Sequence, residues 1–427
     1  MKKLLTKIIA VVLVLVMVTG MFAGCNSPKE PEGKTKIYFA NYAVLEKNYT
    51  EFWDKVKVDF EAANPDFEIE YITAPYNDIM TTVTNRVGGG DKVDLIFGEV
   101  AWAPELAKAG ITSPITDVLS KEFIADFHQN VLETFKYENE LYGVPLYFSN
   151  TVIFMNKDLL AKVGLDANNP PKTQAELLAW CEKLSGLKTP TGEKIYPFGM
   201  PYAEKTAPGS SVNAMVLAFG GKLLDANGKL SIDNKGFDEA VDFYIEMDKK
   251  GYNPKNTLPK DLRPMFANEA IAMYIDQTWG FSGVKTVNPK ALDFAVSASV
   301  PAMGSEGKGS TLTQAHCFLM KDNGGKSVEG TRKLVEFIIS KDVLAPYMKN
   351  ITPAFSATKA MDGVELADVL NGAKAGSLNV EPQLNIAQTN SLHIQLAKMI
   401  NSICVGGKSK ADAIAEFKKQ ADILLNK

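Results

Sequence analysis

The residue types that most often carry chemistry are scattered in this sequence rather than grouped. The three histidines, His128, His316 and His393, lie in separate segments, so there is no HExxH helix and no paired histidine ligand set. Two GGKS segments lack the leading glycine of a phosphate-binding loop, and no GxSxG nucleophile elbow occurs. We therefore expect no metal site, no cofactor and no nucleophilic catalytic centre.

Paired carboxylates are the catalytic arrangement that the composition leaves open. A glycoside hydrolase needs only two of them, roughly 5 to 10 Å apart in a cleft. The chain has 50 Asp and Glu residues. A secreted hydrolase that uses two cleft carboxylates therefore stays an alternative at this point.

Three of the four cysteines, Cys181, Cys317 and Cys404, have neither CxxC spacing nor a companion histidine pair. An odd number without such spacing indicates neither a disulfide framework nor a zinc site. We expect buried free thiols.

Residues 1–24 have the zones of a secretory signal: three lysines, an apolar run over residues 8–18, and small or weakly polar residues before Cys25. The segment Phe22-Ala23-Gly24-Cys25 resembles the bacterial lipobox, in which the cysteine sulfur receives diacylglycerol, although Phe22 stands where leucine is usual.

Residues 25–35 are rich in proline and charge, which is typical of a tether. We expect a lipid anchor on Cys25 that holds the chain at the outer face of the cell membrane. That face is extracellular in a cell without an outer membrane and periplasmic otherwise. An ordinary cleaved signal with an incidental cysteine is the alternative.

The remaining composition is that of a globular protein, with 46% hydrophobic and 22% charged residues. A body of this length favours two domains. The net charge is -4, and only Arg86, Arg263 and Arg332 among the 46 basic residues are arginine. Without an arginine-rich face, nucleic acid is not expected as a partner.

Apolar periodicity near the N-terminus indicates strands that alternate with helices. The strand-like segments are residues 36–40, 67–74 and 93–97, and the helix-like segments are residues 48–63, 76–87 and 102–110. This alternation predicts an α/β layer with a mainly parallel sheet.

Ligands of such sheets bind beyond the carboxyl ends of the strands. Those ends open here at Asn41-Tyr42 and at Gly98-Glu99, which become the first binding candidates. Trp102 begins the helix beside the second loop, where it either lines the site or only packs that helix in place.

Three stretches, taken in order, resemble the family 1 extracellular solute-binding proteins of ABC transporters, in their maltose-binding-protein-like carbohydrate branch. They are LYGVPLYFSNTVIFMNKDLLAKVGL at residues 141–165, MFANEAIAMYIDQTWGF at residues 265–281, and the weaker TRKLVEFIISKDVLAPYMKNITPAFSAT at residues 331–358. The resemblance implies a type II periplasmic-binding-protein-like fold. In that fold two lobes, each a mainly parallel sheet flanked by helices, are joined by a hinge that the chain crosses several times. Lobe 1 would comprise residues 36–146 plus 312–351, and lobe 2 residues 147–311 plus 352–427.

The function that this resemblance implies is capture of a neutral sugar or oligosaccharide between the lobes by a monomeric, non-enzymatic lipoprotein. The protein would then deliver the solute to the transmembrane subunits of an ABC permease. A lipoprotein that senses a solute without a transport role would share the fold, because fold alone does not determine function.

The same resemblance indicates which side chains would contact the sugar. Trp279 and Tyr202 match positions at which relatives place stacking aromatics, and a sugar ring offers apolar faces to such rings. The polar candidates at strand ends and crossings are Asn41, Glu99, Ser149, Asn150, Asp276 and Gln314.

Some positions depart from the maltose-binding pattern. Ser149 and Met200 stand where acidic residues clamp maltose hydroxyls, and Leu392 beside His393 stands where a third aromatic would stack. The resemblance therefore does not extend to maltose itself. Scarce arginine also argues against a phosphate-bearing ligand.

Mass analysis of the membrane-extracted protein is expected to find a diacylglyceryl addition on Cys25, because the lipobox-like segment exposes that thiol to lipid transfer. A Cys25→Ser variant, which lacks the thiol, is the matched control and is expected to leave the membrane fraction. An unmodified Cys25 in membrane-extracted protein would overturn the anchor.

Overall fold

The computed structural model describes residues 33–426 except residues 77, 226, 378, 382, 383 and 385. The predicted signal, Cys25 and most of the predicted tether lie outside these described residues. Within them, no helix is long and apolar enough to cross a membrane.

The strands of the described residues are β1 (Thr35–Asn41), β2 (Phe67–Ile72), β3 (Leu95–Glu99), β4 (Lys136–Tyr137), β5 (Glu140–Leu141), β6 (Gly143–Asn156), β7 (Tyr196–Gly199), β8 (Ile271–Gln277), β9 (Ala295–Ser299), β10 (Thr311–Met320) and β11 (Val380–Glu381). The main sheet has the order β2-β1-β3-β10-β6-β8-β7, with β9 also paired to β6 and β11 to β10, while β4 and β5 form a separate hairpin.

The helices of the described residues are α1 (Thr50–Ala63), α2 (Ile79–Gly88), α3 (Ala103–Lys108), α4 (Lys121–Ala125), α5 (Gln129–Leu132), α6 (Lys157–Lys162), α7 (Gln174–Leu184), α8 (Thr206–Ala218), α9 (Lys235–Lys249), α10 (Pro259–Ala267), α11 (Phe281–Val287), α12 (Ala291–Phe294), α13 (Lys326–Ile339), α14 (Lys341–Asn350), α15 (Thr389–Cys404) and α16 (Lys410–Leu425). Short 3-10 helices occupy Tyr42–Leu45, Val100–Trp102, Ile115–Asp117, Glu133–Phe135, Thr278–Gly280, Lys359–Met361, Asp368–Leu370 and Lys374–Gly376.

The first five elements, β1 to β3 with α1 and α2, confirm the alternation read from the sequence. β1 pairs in parallel with β2 on one side and with β3 on the other. Trp53, Val56 and Phe60 face inward from α1, at the spacing of one helical face. The carboxyl ends of β1 and β3 therefore open at one sheet edge, as predicted.

Strand β6 connects the two halves of the sheet. All fourteen of its residues are buried. Its first half pairs with β10, and its second half pairs with β8 and β9. Phe355 joins the crossing region because its backbone exchanges hydrogen bonds of 2.8 and 3.0 Å with Phe148 of β6.

The predicted strand directions need one correction. The pairs β1 with β2, β1 with β3 and β7 with β8 are parallel. The central pairs of β10 with β3 and of β6 with β10, β8 and β9 are antiparallel. The sheet is therefore mixed rather than mainly parallel, because the long strands that run through the middle return against their neighbours.

Buried apolar side chains form two clusters. One surrounds β1, β3 and the second half of β10 and continues to Leu262, Phe266 and Phe281. The other lies around α8, α9 and α15, entirely within the residues predicted as lobe 2. Because the first cluster and strands β6 and β10 run through the predicted lobe boundaries, those boundaries stay a prediction.

Candidate functional site

Aromatic side chains from distant parts of the chain meet around His316 of β10. We call Tyr42, Tyr76, Phe97, Trp102, Tyr147, Trp279 and His316 the aromatic cluster. The indole of Trp279 stacks on the imidazole with ring centroids 4.3 Å apart and planes 7° from parallel. The rings of Tyr147 and Phe97 lie 5.4 and 5.2 Å from the imidazole. The strand pairing produces this meeting, because at His316 β10 pairs with β3 on one side and with β6 on the other.

Two tyrosine hydroxyls fix the imidazole of His316. Tyr147 Oη lies 2.5 Å from Nδ1, and Tyr42 Oη lies 3.3 Å from Nε2. Burial lowers the pKa of His316 to about 3, so the ring is neutral at ordinary pH. A neutral imidazole has one N–H, so one hydroxyl donates to the ring and the other accepts from it.

Glu99 ends β3 at the edge of this cluster. The hydroxyl of Tyr76 donates to its Oε1 over 3.1 Å, and His316 Nε2 lies 3.9 Å from the same oxygen. The side chain is 23% exposed. Burial raises the pKa of Glu99 to about 7, and the hydrogen bond from Tyr76 only partly opposes that rise. Glu99 therefore changes its charge near neutral pH.

Trp102 lies flat along β3 because Gly98 has no side chain. A Cβ at Gly98 would lie 2.6 Å from Cε3 of the indole. Trp102 is 4% exposed and faces Tyr42 and Tyr76 at ring distances of 6.1 and 5.8 Å. The buried indole thus supports those two tyrosine rings from the side of the core.

Ser149 and Asn150 are buried in the middle of strand β6. Ser149 Oγ accepts from both the backbone N–H and the hydroxyl of Thr278, each over 2.8 Å. The carboxamide of Gln277 lies 2.9 Å from Ser149 Oγ. Asn150 Nδ2 donates to the carbonyl of Ser377 over 2.6 Å. The contacts of Ser149 position the turn that carries Trp279, while Asn150 ties β6 to the segment at Ser377.

Asp276 is neutralised by Arg263 of α10. Arg263 Nε and Nη2 donate to the two carboxylate oxygens over 2.7 and 3.2 Å. Asp276 Oδ1 also accepts from the backbone N–H of Gln277 over 2.8 Å. A Cβ at Gly280 would lie 2.1 Å from Oδ2, so the chain folds tightly over the carboxylate. Asp276 therefore anchors the Thr278–Gly280 turn.

The remaining predicted positions lie deeper or apart. Asn41 is fully buried, and its Oδ1 accepts from Ala43 over 2.9 Å, which caps the turn of Tyr42. The carboxamide of Gln314 donates to Ser210 of α8. Tyr202 is fully buried against Tyr244 in the second apolar cluster, so the structure does not bring it to the aromatic cluster.

Leu392 and His393 are likewise buried, on α15. A Cβ at Gly209 of α8 would lie 1.8 Å from the carbonyl oxygen of His393, so α8 and α15 pack backbone against backbone. Met200 is fully buried as well. Met200, Leu392 and His393, which depart from the maltose-binding pattern, thus belong to packing in this structure, whereas Ser149 supports the Trp279 turn.

Sequence reasoning missed His316, Tyr147, Tyr76 and Arg263. His316 is the centre of the cluster, yet its partners lie 37 to 274 residues away, and only the pairing of β10 with β3 and β6 brings them together. Arg263 was noted only as a rare arginine. Nothing in the sequence around Arg263 indicates that its guanidinium pairs with Asp276, which lies on the next strand.

The described residues contain no group of three His, Cys, Asp or Glu that could hold a metal. Cys181, Cys317 and Cys404 are free and buried, which confirms the prediction of buried thiols. Burial raises the pKa of Cys404 to about 12, so its thiol stays protonated.

Comparison with known proteins gives consistent matches. Residues 55–369 match the family described as bacterial extracellular solute-binding protein. A putative binding protein of Brucella abortus is 25% identical over 338 residues, which are 78% of this chain and 79% of that protein. The multiple sugar-binding protein of Streptococcus mutans is 22% identical over 77% of each chain.

One similar solved structure is an ABC transporter solute-binding protein of Thermotoga lettingae bound with alpha-D-tagatose. It is 22% identical with a TM-score of 0.78, and the match covers 92% of this chain and 100% of that one. The likeness confirms the predicted fold class, a two-lobed α/β architecture with helices around a central sheet.

The raised pKa of Glu99 predicts a loss of stability as pH rises from about 4.5 to about 7. The folded state holds this proton more tightly than the unfolded state, so the stabilisation is complete below the ordinary pKa of 4.5 and disappears as pH passes about 7. Its upper limit is about 3 kcal/mol. Denaturant unfolding of the wild type and of Glu99→Gln between pH 4.5 and 8 measures it.

Glu99→Gln is expected to lack this component of the pH dependence. Glu122→Gln, which alters an exposed carboxyl on α4, is the matched control and is expected to keep the wild-type slope. Equal pH dependence in Glu99→Gln and the wild type would show that Glu99 titrates as an ordinary carboxyl.

Proposed function

This chain belongs to the bacterial extracellular solute-binding protein family, and we propose that it captures a sugar or oligosaccharide between two lobes and delivers it to an ABC permease. Relatives and similar structures support the ligand class, since one is named a multiple sugar-binding protein and another holds alpha-D-tagatose. The few arginines argue against a phosphorylated sugar.

The single observation that carries this proposal is the partly exposed Trp279 within the aromatic cluster. Its indole is held on a turn that Ser149 and Asp276 fix by hydrogen bonds. A rigid aromatic face suits the apolar C–H face of a sugar ring, and it costs little conformational entropy when the ligand arrives.

In this structure the imidazole of His316 occupies one face of Trp279, at 4.3 Å. A sugar that stacks on Trp279 therefore uses the part of the indole that the imidazole leaves exposed. A sugar that contacts both lobes favours the conformation in which both contacts form, because its affinity for that conformation is higher.

We propose that the protein is not an enzyme. The carboxylates at the site have different partners: Asp276 is committed to Arg263, while Glu99 accepts from Tyr76. A hydrolase with two cleft carboxylates needs both of them to be available to substrate. The ion pair removes Asp276 from that role.

We also propose that the protein is a monomer, held at the outer face of the cell membrane by a lipid on Cys25. β1 begins at Thr35, so the segment from Cys25 is about ten residues long and, when extended, reaches roughly 35 Å. A tether of that length keeps the binding lobes close to the transmembrane subunits of a permease.

A panel of mono- and oligosaccharides is expected to include a ligand that raises the melting temperature and gives calorimetric heat. The reason is that a ligand bound only to the folded state stabilises it by mass action. The ligand recovered after long incubation is expected to be intact. If no sugar binds and another class of solute does, the sugar assignment is wrong.

Trp279→Ala is expected to weaken binding of that sugar at least tenfold, about 1.4 kcal/mol, because the stacking face is lost. Calorimetry measures the change. Trp180→Ala on α7 removes another partly buried tryptophan and is expected to leave affinity unchanged. An unchanged affinity together with a lowered melting temperature in Trp279→Ala would make Trp279 a core residue.

A further inference from the structure

The two carboxylates at the site differ in their counter-charge. Asp276 has a bidentate partner in Arg263. Glu99 meets no Lys or Arg at ion-pair distance among the residues that the structure describes. Its basic neighbour is His316, 3.9 Å away. The imidazole is neutral, since burial lowers the pKa of His316 to about 3. When Glu99 is ionised, no cation among the residues that the structure describes therefore balances its charge.

The groups that face Glu99 from each neighbouring segment add no cation. Tyr76, which follows β2, donates a hydrogen bond to it. His316 lies near it on β10, and the next residue, Cys317, adds no charge, because burial and the nearby Glu99 both raise the pKa of its thiol. Glu46, which follows the Tyr42–Leu45 turn, acts on it as a second negative charge. Burial raises the pKa of Glu46, and Arg263 acts on it at longer range in the opposite direction.

Aromatic rings complete the surroundings of this carboxyl. Tyr76, which is 39% exposed, packs edge-on against Tyr42 at 5.1 Å and faces Trp102 at 5.8 Å. The faces of such rings carry a negative quadrupole that attracts cations, most strongly when water is excluded. An unbalanced carboxyl beside three aromatic rings is an environment that favours a positively charged group.

We propose that the ligand of this site carries a protonated amine that pairs with Glu99, so that the preferred ligand is an amino sugar or an oligosaccharide of amino sugars. This rests on the proposed function, since it assumes that the site takes a sugar. It replaces the neutral sugar expected from the sequence. Scarce arginine argues against a phosphate but does not distinguish a neutral sugar from a basic one.

Proton linkage follows from the same arrangement. Binding an ammonium group favours the ionised form of Glu99, whose pKa of about 7 in the free protein means that it holds a proton at lower pH. Affinity for an amino sugar whose amine stays protonated over this range therefore rises with pH up to about 7, by at most tenfold per unit for one released proton. A neutral sugar at the same site has no such ammonium to favour ionisation.

The experiment compares glucosamine, galactosamine, mannosamine and chitosan oligosaccharides with their N-acetylated counterparts and with glucose, galactose and mannose. Calorimetry on the full chain between pH 5.5 and 7, in two buffers of different ionisation enthalpy, measures affinity and proton release together. The wild type is expected to prefer an amino sugar at least about tenfold over its N-acetylated form. It is also expected to release a proton on binding it.

Glu99→Gln is expected to bind the amino sugar and its N-acetylated form within about threefold of each other, with the proton release gone. Glu122→Gln is the control and is expected to keep the wild-type preference. If Glu99→Gln fails to fold, the proton release of the wild type still tests the proposal.

The outcomes separate this proposal from the one on which it rests. Neutral sugars that bind as tightly as amino sugars, or an amine preference that persists in Glu99→Gln, would overturn the role of Glu99 and leave sugar capture intact. Binding of no sugar in this panel, nor in the wider panel of mono- and oligosaccharides described above, would overturn both.

Discussion

Strand β6 has fourteen consecutive buried residues, and their backbone N–H and C=O groups all need hydrogen-bond partners. Different strands supply these partners along its length. β10 pairs with its first half, and β8 and β9 pair with its second half. An unpaired buried backbone group costs about as much as a lost hydrogen bond. The site depends on this constraint, because the same pairing brings His316 beside Tyr147 and sets Thr278 against Ser149.

The electrostatic character of the site follows from how one scarce residue type is used. The chain has three arginines, and one of them, Arg263, lies against Asp276 under the turn of Trp279. Removing one partner of a buried ion pair is far more costly than the pair itself is stabilising. Arg263 and Asp276 therefore hold that turn in place, whereas Glu99 has no such partner among the residues that the structure describes.

The elements that the sequence predicted are those whose pattern is local. The periodicity of Phe52, Val56 and Phe60 identifies α1 without reference to any other part of the chain, and the alternation around residues 36–97 predicts the parallel β1, β2 and β3. In the structure Trp53, rather than Phe52, is the fully buried ring at that end of the helix. The ordered motifs predicted the two-lobed class, and the position of Trp279 after a strand placed it on a turn at the site.

What the sequence did not predict depends on partners far along the chain. The antiparallel course of β6 and β10 is set by pairing between segments more than 150 residues apart. His316 gave no motif because its neighbours come from four segments, and the burial that moves the pKa of Glu99 cannot be read from the residue itself. Tyr202 matched a family position, yet α8 and α9 cover it here.

The distribution of tryptophans has an optical consequence. The chain has only four, and three of them, Trp53, Trp102 and Trp279, lie within the aromatic cluster or in ring contact with Phe97. Indole emission depends on the groups stacked against the ring and on its access to solvent. A guest that packs on the exposed part of Trp279 changes both for that residue. Tryptophan fluorescence should therefore change when a ligand binds, and Trp180 on α7, which packs against the other apolar cluster, should contribute a constant background.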